Sequence, residues 1–138
     1  MILVIRISGM VEIPKNVQLT LDRMRLRRKY SAILLRESAE TMTLLQSVRN
    51  FVAFGDVTDE TLTMLIEKRA ESSDGKKIDA KAVVAGLKNK DLADLGIKPF
   101  IRLHSPRGGI NSKLHFPLKD GVLGDNKAKI NDLVRRML

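Results

Sequence analysis

The chain has no cysteine and no tryptophan among its 138 residues, one tyrosine and four phenylalanines. Without cysteine there are no disulfides and no thiolate metal sites, which fits a reducing compartment. So few aromatics argue against a sequence-specific reader of single strands, which needs rings on which bases stack. No apolar run approaches the ~20 residues that a membrane helix requires. The N-terminal run from Ile2 to Ile7 contains Arg6 and follows no basic stretch, so it does not read as a signal peptide. Catalytic signatures are also missing. His104 and His115 stand eleven apart with no paired His or Cys, which is not metal-ligand spacing. There is no Gly-x-x-x-x-Gly-Lys phosphate loop, no Gly-x-Gly-x-x-Gly fingerprint after the first strand and no Gly-x-Ser-x-Gly elbow. These absences lead to the expectation of a soluble, cytoplasmic domain that is not an enzyme. No cofactor, metal, membrane or small-molecule substrate is expected.

What the chain does have is positive charge. Lys and Arg number 25 against 16 Asp and Glu, a net +9. The charge is localised. Residues 1–56 carry 9 basic and 5 acidic side chains, a net +4. Residues 57–97 carry 7 and 8, a net −1, and residues 98–138 carry 9 and 3, a net +6. A field concentrated at two ends of a sequence attracts polyanions, chiefly nucleic acid. The competing reading is a basic surface that only keeps the protein dissolved.

The hydrophobic pattern predicts α/β structure. Ile2-Leu3-Val4-Ile5-Arg6-Ile7 reads as a buried central strand closed by Ser8-Gly9. Pro14 opens a helix over about 14–29, with Val17, Leu21 and Met24 on its apolar face. Ser31–Leu35 is a second strand, 39–49 a second helix with Ser38 as N-cap, and Phe51–Phe54 a third strand ended by Gly55. Alternation of this kind implies a split βαβ, ferredoxin-like unit with its helices on one face of the sheet. A fragment of a doubly wound sheet is the alternative. Further on, Thr58 caps a helix to about Ala70, Asp79 opens a short one, and Asp91–Leu95 forms a helical turn stopped by Gly96. Phe100–Leu103 and Lys113–Leu118 are candidate strands, and Asp125-Asn126 caps a last helix carrying Ile130, Leu133, Val134 and Met137. The organisation expected is a ferredoxin-like core over 1–56 and a mostly helical extension over 57–138.

Two basic clusters stand out. Arg23, Arg25, Arg27, Arg28 and Lys29 fall in the C-terminal half of the first predicted helix and its exit. A negative helix terminus accounts for one or two cations, not five within seven residues, and like charges at i and i+4, such as Arg23 and Arg27, repel. An external anion that relieves the repulsion explains the cluster better. The second cluster is Ser105-Pro106-Arg107-Gly108-Gly109, flanked by Arg102, His104 and Lys113. Its Gly-Gly step lets backbone N–H groups approach an anion, and arginine forks onto phosphate. Arg135 and Arg136 close the last helix as further candidates. Tyr30, at the exit of the basic helix, either stacks on a base or packs inward, while Phe51, Phe54 and Phe100 read as core.

Several of these stretches, in this order, resemble one known family. They are Val4 to Gly9, Leu21 to Arg28 with its Arg25-Leu26-Arg27-Arg28 centre, Ala53-Phe54-Gly55 and Leu65 to Arg69. Phe100 to Gly109 and Ile130 to Met137 continue the match. The family is that of the large-subunit ribosomal proteins called L-thirty in bacteria and L-seven in eukaryotes, in its longer archaeal form. The resemblance covers essentially the whole chain. It implies a structural role in the large subunit, bound to its long rRNA near the 5S RNA region and to neighbouring ribosomal proteins. It carries Arg23, Arg25, Arg27, Arg28 and the 105–109 loop over as RNA contacts, with Arg6 in the matching first strand. Ser8 stands where the family often has arginine, and the region before Pro99 is shorter than in eukaryotic members, so contacts there are not carried over. Two other functions fit the composition: a free-standing basic RNA regulator or chaperone, and a small ferredoxin-like enzyme acting on acyl phosphates.

Overall fold

In a computed structural model that describes residues 1–9, 13–72, 75, 77–87, 89–90, 93–116 and 121–138, Ile2–Arg6 forms strand β1. Every one of its residues is buried. A strand buried on both faces reads as a continuous apolar run, which is what its sequence shows. Lys15–Arg23 (α1), Ser31–Leu35 (β2), Ala39–Val48 (α2) and Val52–Asp56 (β3) follow. Then come Asp59–Arg69 (α3), Ala80–Gly86 (α4), a 3-10 turn at Ala93–Leu95 and Ile101–Arg102 (β4). Asn111–His115 (β5), Gly121–Asp125 (β6), a 3-10 turn at Lys127–Lys129 and Ile130–Met137 (α5) complete the order. No described helix is long and apolar enough to cross a membrane.

The strands lie in the order β4-β2-β1-β3-β6-β5. β1 is antiparallel to both β2 and β3, with Val4 opposite Ile33 on one side and Phe54 on the other. β2-α2-β3 is therefore a split βαβ unit with β1 inserted between its parallel strands, as the alternation predicts. A doubly wound arrangement is ruled out by the two antiparallel pairings. β4 is antiparallel to β2, β6 runs parallel to β3, and β5 lies against β6 at the edge.

Alternation along β1 divides the interior in two. Ile2 and Val4 face a cluster with Val17, Leu21 and Leu26 below α1 and Leu45 and Val48 on α2. Leu3, Ile5 and Ile7 face the opposite cluster, with Leu65 and Ile66 of α3, Val83 of α4 and Leu133, Val134 and Met137 of α5. The second half of the chain thus supplies the layer that the first half lacks, and helices cover both faces of the sheet.

The local signals that predict α2, α3 and α4 operate as expected. Ser38 Oγ, Thr58 Oγ1 and Asp79 Oδ1 each accept an N–H of the first turn. Gly96 (φ 76°) lies in the left-handed region that ends a helical turn. Asp91, Leu92 and Leu118 lie outside the described residues. Two expectations need correction, and one strand has no counterpart among them. Gly55 does not end β3 but lies within it, and β6 had no sequence prediction. Asn126 does not cap α5: its Nδ2 donates to Val122 and Gly124 carbonyls at 2.7 and 3.1 Å, fixing the end of β6. The side chain that docks α5 is Asn131, whose Nδ2 donates to Asp56 and Ala128 carbonyls while its Oδ1 accepts the Thr58 N–H at 2.9 Å.

Gly55 shows how closely the last segment sits on the sheet. A Cβ there would lie 2.4 Å from the Lys127 carbonyl oxygen and 2.9 Å from Ile130 Cβ, so no other residue fits without moving backbone. Gly55→Ala is expected to lower unfolding free energy by about 2–3 kcal/mol, the upper part of the usual overpacking range, in a urea titration. A change below about 0.5 kcal/mol would contradict this packing.

Candidate nucleic-acid interface

The basic cluster of residues 23–29 is not the helical face that its sequence suggests. α1 stops at Arg23, because Arg25 takes a left-handed conformation (φ 64°). The Arg25 N–H donates to the Asp22 carbonyl at 3.1 Å and the Leu26 N–H to that of Leu21 at 2.9 Å. These are the two bonds of a Schellman stop, with Leu26 and Leu21 in its hydrophobic contact. Glycine usually holds the left-handed position, and a side chain there costs about 1–2 kcal/mol. Tyr30, also left-handed (φ 66°), repeats that cost at the other end of the loop, immediately before β2. The i,i+4 repulsion expected of Arg23 and Arg27 therefore does not apply. Arg25, Arg27, Arg28 and Lys29 project from an irregular loop instead.

Arg6 holds that loop. Its side chain is fully buried. Nη1 donates to the Leu26 carbonyl at 2.7 Å, Nε to that of Ser8 at 3.0 Å, and Nη2 to that of Gly9 at 3.0 Å and to Gln18 Oε1 at 3.3 Å. Gln18 in turn donates to Asp22 Oδ1 at 3.1 Å. Burial pulls the Arg6 pKa down, and the Asp22 charge partly restores it. The Arg6 carbonyl accepts the Tyr30 N–H at 2.7 Å, so one residue ties both ends of the loop. Arg6 is therefore corrected from an RNA contact to a framework residue, since no part of it reaches the surface. The parity of β1 could have revealed this, because Arg6 falls on the same inward face as Ile2 and Val4.

With Leu26 pinned inward, the neighbouring cations face out. Arg23, Arg25, Arg27, Arg28 and Lys29 are all exposed. Among the described residues, no carboxylate pairs with Arg23, Arg25, Arg27 or Arg28. The pairing of β4 with β2, with Ser31 opposite Arg102, brings the second cluster beside the first. Arg25, Arg27, Arg28 and Arg102 together surround a groove of about 240 Å³ with Ser31 and Phe100. A wider groove, of about 510 Å³, flanks the other side of Arg25 between Leu34, Leu35 and Pro99. Glu71 is the acid nearest in effect to Arg102. Its carboxyl is held below the usual range mainly by the Lys98 ammonium at 2.9 Å, and to a smaller extent by Arg102.

The 105–109 loop follows directly, since the Leu103 N–H donates to the Tyr30 carbonyl at 3.0 Å. His104, Ser105, Arg107, Gly108 and Gly109 are exposed. The loop is stapled to α5: the His104 and Arg107 N–H groups donate to the Met137 and Arg136 carbonyls, at 2.9 and 3.0 Å. Arg136 returns the contact, its Nε donating to the Arg107 carbonyl at 2.9 Å and its Nη2 to that of Gly109. Gly108 and Gly109 both have positive φ (80° and 74°), which other residues adopt at a cost. Arg136 thus shapes the loop, while the exposed Arg107 spends only a long Nη2 contact, 3.5 Å, on the Leu138 carbonyl, and the exposed Arg135 lies 4.0 Å from Asp132 Oδ1. Tyr30 packs inward, with the Lys29 ammonium 5.1 Å from its ring centre. Lys113 belongs to β5, whose side chains lie outside the described residues.

A family model described as Ribosomal protein L30p/L7e matches residues 2–52. Proteins named "Large ribosomal subunit protein uL30" match nearly end to end. That of Pyrobaculum aerophilum is 35% identical over 98% of this chain and 92% of its own length. That of Methanobrevibacter smithii is 37% identical over all of both chains, and that of Archaeoglobus fulgidus 34% over 99% of each. The chain belongs to the uL30 family of ribosomal proteins. It is an archaeal-type member by these relatives. The family model spans Arg6 and the basic loop, and the full-length uL30 matches also take in the 105–109 loop and α5.

Replacing Arg6 by Lys keeps the charge but loses the planar fork, which leaves buried carbonyls without donors. Urea unfolding of Arg6→Lys is expected to show a loss of about 3 kcal/mol, as for a disrupted buried charge network. A loss under about 1 kcal/mol would show that the fork is dispensable. Arg136→Ala should instead raise amide exchange of Arg107 and Gly109 at nearly unchanged global stability.

Proposed function

We propose that this uL30-family protein is a non-catalytic structural constituent of the large ribosomal subunit that binds large-subunit rRNA near the 5S RNA region. It works at the cytoplasmic ribosome, in translation. The observation that carries the reading is the set of exposed arginines on a rigid frame: four around one groove, none of Arg25, Arg27 and Arg28 paired with an acid among the described residues, and Arg107 on a stapled loop beside them. Guanidiniums held this close repel each other until an anion lies between them. A phosphate backbone supplies regularly spaced anions, and arginine forks onto phosphate bidentately.

Folded RNA, read through phosphate and shape, is favoured over sequence-specific reading of single strands by the scarcity of aromatics, one tyrosine and four phenylalanines. Among the described residues, no cluster of His, Asp or Glu could hold a metal. Neighbouring ribosomal proteins are further partners, and the exposed Leu19 and Leu44, on α1 and α2, are apolar surface that such neighbours would cover.

If about 6 phosphates are neutralised, affinity for large-subunit rRNA falls with a log–log salt slope of roughly −4 to −5. Arg27→Glu and Arg107→Glu, neither of which touches the core, are each expected to flatten that slope by about 1 or more and to leave the unfolding midpoint in place. A filter-binding series over salt concentration measures this. If both variants bind like the parent, the interface lies elsewhere. Sedimentation separates the ribosomal protein, which travels with the large subunit through a moderate-salt wash, from a free regulator, which stays in the supernatant.

A further inference from the structure

Phe100 reads as core in the sequence, yet it lies only partly buried, at the wall of the groove that Arg25, Arg27, Arg28 and Arg102 surround. The Arg102 guanidinium carbon stands 5.9 Å from the centre of its ring. The inner side of the ring packs against the cluster beneath α1 and α2, so the ring is fixed from behind. An aromatic ring and a guanidinium plane are both surfaces on which an unstacked base settles, and arginines beside them take its phosphate. At about 240 Å³ the groove does not enclose a whole organic ligand and would take one only in part, with a planar group against its wall. Every charged group on its wall is a cation, which excludes cationic and favours anionic ligands.

We propose that this groove holds one unpaired nucleotide of the bound RNA, its base against Phe100 and Arg102 and its phosphate among Arg25, Arg27 and Arg28. The inference rests on the rRNA-binding reading and adds to it a stacking contact. Phosphate contacts position an RNA without regard to sequence, whereas a base that must leave its helix can enter only where the RNA is unpaired. The groove therefore registers the protein on a bulge or loop rather than on a continuous duplex. Ser31, at the base of the groove and opposite Arg102 in the sheet, is small enough to leave room for the ribose or base edge.

The full chain is titrated with AMP and, separately, with ribose 5-phosphate, followed by amide chemical shifts. The two probes share a phosphate and ribose and differ only in the base. A base stacked on an aromatic contributes about 1–3 kcal/mol, so AMP should bind roughly 5-fold tighter or better. Phe100→Leu should abolish the difference and Phe100→Trp should preserve it. In rRNA binding, Phe100→Leu should weaken affinity by a similar factor with the salt slope unchanged, whereas Arg27→Glu changes the slope. Equal affinity for the two probes, or no saturable AMP binding, overturns the nucleotide site. If Phe100→Leu does not fold, the comparison of probes on the parent chain decides alone. Should the probes bind equally while Arg27→Glu still flattens the salt slope, the stacking inference fails and the rRNA reading stands. If Arg27→Glu and Arg107→Glu change nothing, both fail.

Discussion

A guanidinium buried at the end of β1 determines where the positive charge of this protein can go. Arg6 donates to the carbonyls of Leu26, Ser8 and Gly9, which come from two segments far apart in the sequence. Placing a charge in the interior is costly unless its donors are all engaged, and here the shell of carbonyls with Gln18 and Asp22 supplies that engagement. The return is a loop whose inward turn, at Leu26, is fixed. Arg25 and Tyr30 can then stay in left-handed conformations that neither residue type favours. Strain of this kind persists only where the surroundings over-determine it, and it concentrates at functional sites.

The same economy runs through the second half of the chain. β4 adds Arg102 to the groove because it pairs with β2, and α5 shapes the 105–109 loop through Arg136. The arginines thus divide into two kinds. Arg6 and Arg136 spend several donors on carbonyls and shape loops, while Arg25, Arg27, Arg28 and Arg102 face outward, as does Arg107 apart from one long contact to the Leu138 carbonyl. A count of basic residues cannot separate the two kinds, but their hydrogen bonds can. The division also explains a net +9 on a stable fold: repulsion among the outward set is borne by a frame that the inward set ties together.

Much of the core was legible in the sequence. The unbroken apolar run of β1 indicated a central strand, and Ser38, Thr58 and Asp79 marked helix starts to within a residue. What escaped was decided by tertiary context. Arg25 ends α1 where no glycine announces a stop, so the helix was read through to residue 29. β6 is two apolar residues between glycines, too short for a periodic signal, and it becomes a strand because β3 offers it an unpaired edge. Of the candidate site, the two basic clusters were visible as composition. Their meeting was not, since it depends on a two-residue strand, β4, that places Arg102 beside a loop some seventy residues earlier. Phe100 shares this limit: it packs against the cluster beneath α1 and α2, as a core residue would, but it also forms a wall of the groove.

The central claim is that the outward arginines, held by Arg6 and Arg136, grip a folded polynucleotide. The most direct measurement is a density map of an assembled large subunit containing this chain. The account predicts phosphate oxygens within about 3 Å of the Arg25, Arg27, Arg28 and Arg107 guanidiniums, the distance of a charge-assisted hydrogen bond. Guanidiniums open to bulk water in that map would contradict it.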